Sequence, residues 1–178
     1  MIRCQITNGQ AARDEDAWLR GLSPEADLIQ IREPDLTTRH LAELVRRVLA
    51  MKPGARILVN DRLDVALATG AAGVHLKSAG ISPEAVRTIT PEGFLITVAC
   101  HNEADVRNAK GADYALLAPI FSPLSKAEDR VPLGLTELNR IAMISPTPIL
   151  ALGGITAFNA SLCAEAGAAG IAGISLYR

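Results

Sequence analysis

The chain has 178 residues, 49% of them hydrophobic but only 3% aromatic, and a formal net charge of -1. That is one domain's length, with a core built mainly from Ala, Val, Ile and Leu, a composition that suits helices packed closely on parallel strands. The near-neutral charge gives no electrostatic basis for binding nucleic acid or an anionic membrane surface, and no apolar run has membrane-spanning length.

The N-terminal run, read as a strand over Ile2–Thr7, begins the chain without a signal-peptide pattern. Further strands are predicted near Leu28–Arg32, Arg56–Asn60, Gly73–Leu76, Leu95–Cys100, Tyr114–Phe121, Ile149–Leu152 and Ile171–Leu176. Helical periodicity lies between them over Leu41–Leu49, Leu135–Ile144 and Ala157–Gly167, and Ser82-Pro83-Glu84 reads as a helix start. The repeat of roughly 20–28 residues per β-α unit is what a parallel sheet with helical crossovers requires. Eight such strands predict one (β/α)₈ barrel domain over 1–178, short for its class, with no eighth helix between the last strand and Arg178. A doubly wound open sheet is the competitor, but no GxGxxG follows the first strand. Cys4, Cys100 and Cys163 lie far apart in apolar stretches, which predicts buried reduced thiols and a cytoplasmic protein.

Polar residues cluster at the carboxyl ends of these strands, where a parallel barrel places its pocket. Gln30 and Arg32, two apart, leave their strand on one face, predicted to be the lumen; Gln suits a ring edge and Arg an anionic or planar acceptor. The alternative is a structural ion pair of Arg32 with Glu33 or Asp61. In Asn60-Asp61-Arg62 the carboxylate suits Mg²⁺ or a substrate nitrogen, but either residue is equally suited to capping the next helix. His101 lies at the fifth strand's rim, where a histidine moves protons near neutral pH, or merely precedes the cap Asn102. His75 is expected to pack between strand and helix, and His40 to be solvated. The long loop after the sixth strand carries Ser122, Ser125 and Lys126, suited to an anion, and reads as a lid or as a charged surface loop. Gly153-Gly154 with Ile174-Ser175 predicts a phosphate cradle of backbone N–H groups, aided by a following helix N-terminus.

These segments resemble the thiamine phosphate synthase / TenI family across nearly the whole chain. The resemblance rests on Gln30-Ile31-Arg32-Glu33, Asn60-Asp61-Arg62-Leu63-Asp64, Gly73-Val74-His75-Leu76, Gly111-Ala112-Asp113-Tyr114, the run from Ala118 through Lys126, and Gly153-Gly154-Ile155. It implies a barrel, often dimeric, that binds a thiazole phosphate as its small-molecule partner in thiamine biosynthesis. Two activities belong to the family. The synthase joins an aminopyrimidine diphosphate to the thiazole phosphate, releases pyrophosphate and uses Mg²⁺, for which Asp61 is the matching ligand. The TenI-type enzyme tautomerises a carboxythiazole phosphate with a histidine and without metal.

Departures from the synthase pattern bear on the choice. Its lysine after the Glu33 position is Pro34, no acid occurs in Lys77-Ser78-Ala79-Gly80, and the serine before the histidine is Ala99. Losing a lysine and a metal carboxylate removes stabilisation from a departing diphosphate, at about 1.4 kcal/mol per tenfold in rate. Tautomerisation needs only a phosphate anchor, a ring slot and one proton carrier. The sequence reading therefore places the tautomerase ahead, with His101 as the proton carrier, the synthase second, and a non-catalytic thiazole or thiamine phosphate binding protein third.

Overall fold

The structure is a computed structural model that describes residues 1–122 and 131–176. Eight parallel strands pair in sequence order and close, β8 on β1. They are β1 Ile2–Ile6, β2 Leu28–Ile31, β3 Arg56–Asn60, β4 Gly73–Leu76, β5 Leu95–Cys100, β6 Tyr114–Leu117, β7 Ile149–Leu152 and β8 Gly170–Gly173. The described residues thus form the expected (β/α)₈ barrel, and closure removes the unpaired edges an open sheet would leave.

Alternation along the strands separates two apolar layers. Cys4, Ile6, Leu28, Leu58, Leu116, Leu150 and Ala172 meet in the lumen. Ile29, Ile31, Ile57, Val59, Val74 and Ile96 face outward onto the helices. The helices are α1 Glu15–Arg20, α2 Thr38–Met51, α3 Leu63–Thr69, α4 Pro83–Arg87, α5 Glu103–Arg107, α6 Gly134–Ile144 and α7 Ala160–Glu165. In α2 the buried residues Leu41, Leu44, Val45 and Val48 form one stripe at helical spacing, and Thr37 caps its start. Several helices are only five to seven residues long, which is how a chain of this length can surround a full barrel.

Several predicted boundaries are corrected: by one residue, β1 and β2 end at Ile6 and Ile31 rather than Thr7 and Arg32, and α6 starts at Gly134 rather than Leu135. β6 ends at Leu117 rather than Phe121: Pro119 has no N–H for the ladder, although Ile120 and Phe121 still donate to Leu152 and Gly153 carbonyls at 2.8 and 3.0 Å. β8 runs over Gly170–Gly173 rather than Ile171–Leu176, so Ile174 and Ser175 lie beyond its end. Helix α7 starts at Ala160 rather than Ala157 and has six residues. The short α1, with Asp14 as its cap, was not predicted. Its start signals were present in Asp14-Glu15-Asp16, but six residues carry too little periodicity to register.

The three cysteines are buried and unpaired, as expected. Burial pushes the Cys4 thiol up to about 12, so it stays protonated at neutral pH. Among the described residues no helix is long and apolar enough to cross a membrane.

Candidate active site at the carboxyl rim

Arg32, Asp61, Lys77, His101, Gly153 and Ser175 all follow the carboxyl ends of parallel strands of one closed barrel, so they stand on one rim. Hydrogen bonds connect neighbouring strands beneath that rim. Gln30 Nε2 donates to Asn60 Oδ1 at 2.9 Å, and the Asp61 amide donates to the His75 carbonyl at 2.8 Å. His75 Nδ1 and Thr97 Oγ1 share a hydrogen bond of 2.9 Å. Gln30, His75 and Thr97 are all buried. His75 therefore faces the lumen, not the helices as expected: Val74 and Leu76 on either side of it occupy the outer layer. His40 is solvent-exposed, as expected.

Burial drives the His75 pKa down to about 4, outweighing Asp61, which raises it, while Arg32 lowers it further. The folded protein thus holds His75 neutral while the unfolded chain takes up a proton near pH 6.5. Stability is complete above that pH and is lost as the pH falls toward 4, by on the order of 3 kcal/mol at full extent. We expect denaturant unfolding at pH 7 and pH 4.5 to show this loss in the wild type and a markedly smaller one in His75→Asn. Equal losses in both proteins would assign the acid sensitivity elsewhere.

His101 lies half-buried at the end of β5. Its backbone N–H donates to Asp105 Oδ2 at 2.8 Å, and its ring Nδ1 lies 3.0 Å from the Ala118 carbonyl. A carbonyl only accepts, so Nδ1 carries the proton and Nε2 of the neutral ring keeps its lone pair. Asn102 caps α5 by accepting from the Asp105 amide at 2.9 Å, so a cap beside His101 and a fixed imidazole coexist. His101, Ser78, Asn102, Asp105, Pro119 and Val131 line a cavity of about 480 Å³.

The residues just after Ala118 pack against the glycine pair. Gly153 and Gly154 have φ of 96° and 62°, and each packs against the segment that follows β6. A Cβ on Gly153 would lie 2.8 Å from Pro119 Cα, and one on Gly154 2.5 Å from the Ser122 carbonyl oxygen. Glycine is required there on both counts. Among the described residues nothing accepts from the amides of Gly154, Ile155 or Ser175, which leaves backbone donors for an anion. The expected helix N-terminus does not complete the cradle, because Ile155–Asn159 separates Gly154 from α7. Ile174 turns its side chain onto the lumen cluster, so only its backbone is available to a phosphate. Ser122 is exposed at the rim, and Ser125 and Lys126 lie outside the described residues.

The alternatives left open for the acidic residues are resolved. Neither Asn60 nor Asp61 caps α3, whose N-cap position is Arg62. Asp61 pairs with Lys77. Glu33 is buried and accepts from Thr7 Oγ1 at 2.7 Å, the Gly9 amide at 3.1 Å, the Ala11 amide at 2.8 Å and Trp18 Nε1 at 2.7 Å. Thr7 Oγ1 in turn accepts from the Arg32 amide at 2.8 Å. Among the described residues neither carboxylate pairs with the Arg32 guanidinium. Sequence reasoning missed the Glu33 network because its donors come from a loop and an indole with no local signature.

Comparison with known proteins decides the family. The family model described as thiamine monophosphate synthase matches residues 4–176. The chain belongs to this family.

A putative thiamine-phosphate synthase of Geobacter sulfurreducens is 42% identical over 151 residues, covering 83% of this chain and 71% of that relative. The thiamine-phosphate synthase of Methanoculleus marisnigri is 43% identical over 154 residues, covering 84% and 73%. Among solved structures, thiamine phosphate pyrophosphorylase from Pyrococcus furiosus superposes with a TM-score of 0.81 at 30% identity, covering 98% of this chain and 85% of that one. Relatives that bear the synthase name mark this family member as an enzyme of thiamine biosynthesis.

The Mg²⁺ implied by the family likeness can be tested against the donors present. Among the described residues no three His, Cys, Asp or Glu side chains converge. Of the described carboxylates near the mouth, Glu33 is saturated by donors, Asp105 holds the His101 amide, and Asp61 is held by the Lys77 ammonium. This donor set does not fit a resident divalent ion, which seeks hard oxygen ligands free of competing cations.

Proposed function

We propose that the chain couples an aminopyrimidine diphosphate to a thiazole phosphate and releases pyrophosphate. The named relatives support coupling over the tautomerisation that the sequence motifs favour. Within the site, the observation that carries the reading is Gln30 Oε1, a buried acceptor with no donor among the described residues. Leaving such an atom unmatched costs about 1–3 kcal/mol, which a bound donor would recover. An aminopyrimidine brings an exocyclic amino group; a thiazole phosphate has none to offer.

On this reading Gln30 and Asn60 orient the pyrimidine, and Gly153, Gly154 and Ser175 hold the thiazole's phosphate. Arg32 with Ser122 faces the diphosphate. As the bond to diphosphate breaks, negative charge gathers on the leaving group, and cations already in place lower the barrier. The direct test supplies both substrates and measures pyrophosphate; release in step with thiamine phosphate is expected. Conversion of a carboxythiazole phosphate to its aromatic form, with no pyrophosphate from the paired substrates, would replace this reading.

That second reading has one specific support, the His101 tautomer, whose Nε2 has no partner among the described residues. His101→Ala separates the two. Under coupling, kcat is expected to stay within about tenfold, because no proton transfer limits the step. A tautomerase would lose at least ~10²-fold in kcat with KM nearly unchanged.

A further inference from the structure

Asn60 and His75 are register partners on β3 and β4, so just beyond them Asp61 stands one position out of register with Lys77. Lys77 shares the inward face of His75, two residues earlier. Asp61 follows inward-facing Asn60 and would point outward by alternation. Its φ of 55° breaks that alternation, a left-handed conformation that non-glycine residues seldom adopt. The break brings its carboxylate onto the Lys77 ammonium. In strand order Asp61 follows β3, between Arg32 after β2 and Lys77 after β4. The β2–β4 arc of the mouth therefore carries the cations Arg32 and Lys77 around one carboxylate.

We propose that Lys77, positioned by Asp61, serves as a tethered cation that receives the diphosphate of the pyrimidine substrate beside Arg32, in place of a divalent ion. The inference rests on the coupling reading and specifies how its leaving group is bound. A lysine ammonium is a compact point charge with three donors, suited to oxygens that reorganise as a diphosphate departs. Lys77 is largely exposed, with a side-chain relative accessibility of 69%, so it can swing to meet a ligand while Asp61 marks its resting place.

Calorimetry of inorganic pyrophosphate binding to the whole chain, in chelator, tests the proposal. Wild type is expected to bind without metal, Lys77→Gln at least tenfold more weakly, and Lys77→Arg within about threefold of wild type. Manganese titration followed by electron paramagnetic resonance is expected to show no saturable site in wild type and a weak one in Lys77→Gln, where Asp61 is released. Pyrophosphate binding that appears only with Mg²⁺, or equal affinity in Lys77→Gln, would overturn the tethered cation. Each failure is distinguishable: strictly Mg²⁺-dependent coupling keeps the proposed function and removes this inference, whereas metal-free binding through Lys77 without turnover does the reverse.

Discussion

Gly154→Ala is expected to weaken thiazole phosphate binding by at least ~10³-fold and to cost about 3 kcal/mol of stability. The added Cβ would lie 2.5 Å from the Ser122 carbonyl oxygen and 2.8 Å from Phe121 Cβ, and the neighbour that must yield is backbone. The φ of 62° adds the penalty any L-residue meets in that region. Relief requires moving the Phe121-Ser122 segment or rotating the Gly154 peptide, and the second turns the donor N–H away from the cradle. Isothermal titration with thiazole phosphate and denaturant unfolding measure both parts. Near-wild-type affinity would place the phosphate elsewhere on the rim.

Glu33→Ala is expected to be the most destabilising substitution of those considered, by about 4–5 kcal/mol, a large share of the ~5–15 kcal/mol that typically holds a domain folded. One carboxylate serves donors from the β1–α1 loop and the α1 indole. Hydrogen bonds to a charged group contribute about 1.5–3 kcal/mol each, and water entering the gap returns part of that. Glu33→Gln keeps the volume but sets an NH₂ against a donor, so an intermediate loss of about 2–3 kcal/mol is expected. The midpoint of urea unfolding at neutral pH reads both variants. A loss below about 1 kcal/mol for Glu33→Ala would show that the loop holds itself. The network also reaches the site, since the Arg32 amide donates to the same Thr7 hydroxyl that Glu33 orients. Thr7→Val is accordingly expected to weaken anion binding more than its distance from ligand would suggest.

The two effects differ in how far the sequence disclosed them. The Gly153-Gly154 pair was readable because a glycine doublet after an apolar strand is a local backbone signal. Glu33 was visible only as an acid beside Arg32, where an ion pair was the natural expectation. Its real partners lie 15 to 26 residues away, and nothing in spacing announces them. His75 was misplaced for a related reason. Alternation says that it opposes Val74 and Leu76, but which side is the lumen follows from closure. The choice between activities was affected in the same way. Missing synthase residues pointed to the tautomerase, whereas the family comparisons favour coupling, and the unmatched Gln30 acceptor that supports it arises only once Asn60 has taken the amide's other end.

The chain itself determined the order and kind of its main elements, the two-faced strands and the polar residues at their carboxyl ends, because periodicity and glycine or proline punctuation act over a few residues. Folding in three dimensions decided what those residues do to one another: Lys77 against Asp61, Nδ1 of His101 committed to the Ala118 carbonyl, and Glu33 gathering a loop. Such pairings depend on barrel closure and on one left-handed peptide at Asp61, and both belong to contacts between strands rather than to any stretch of sequence.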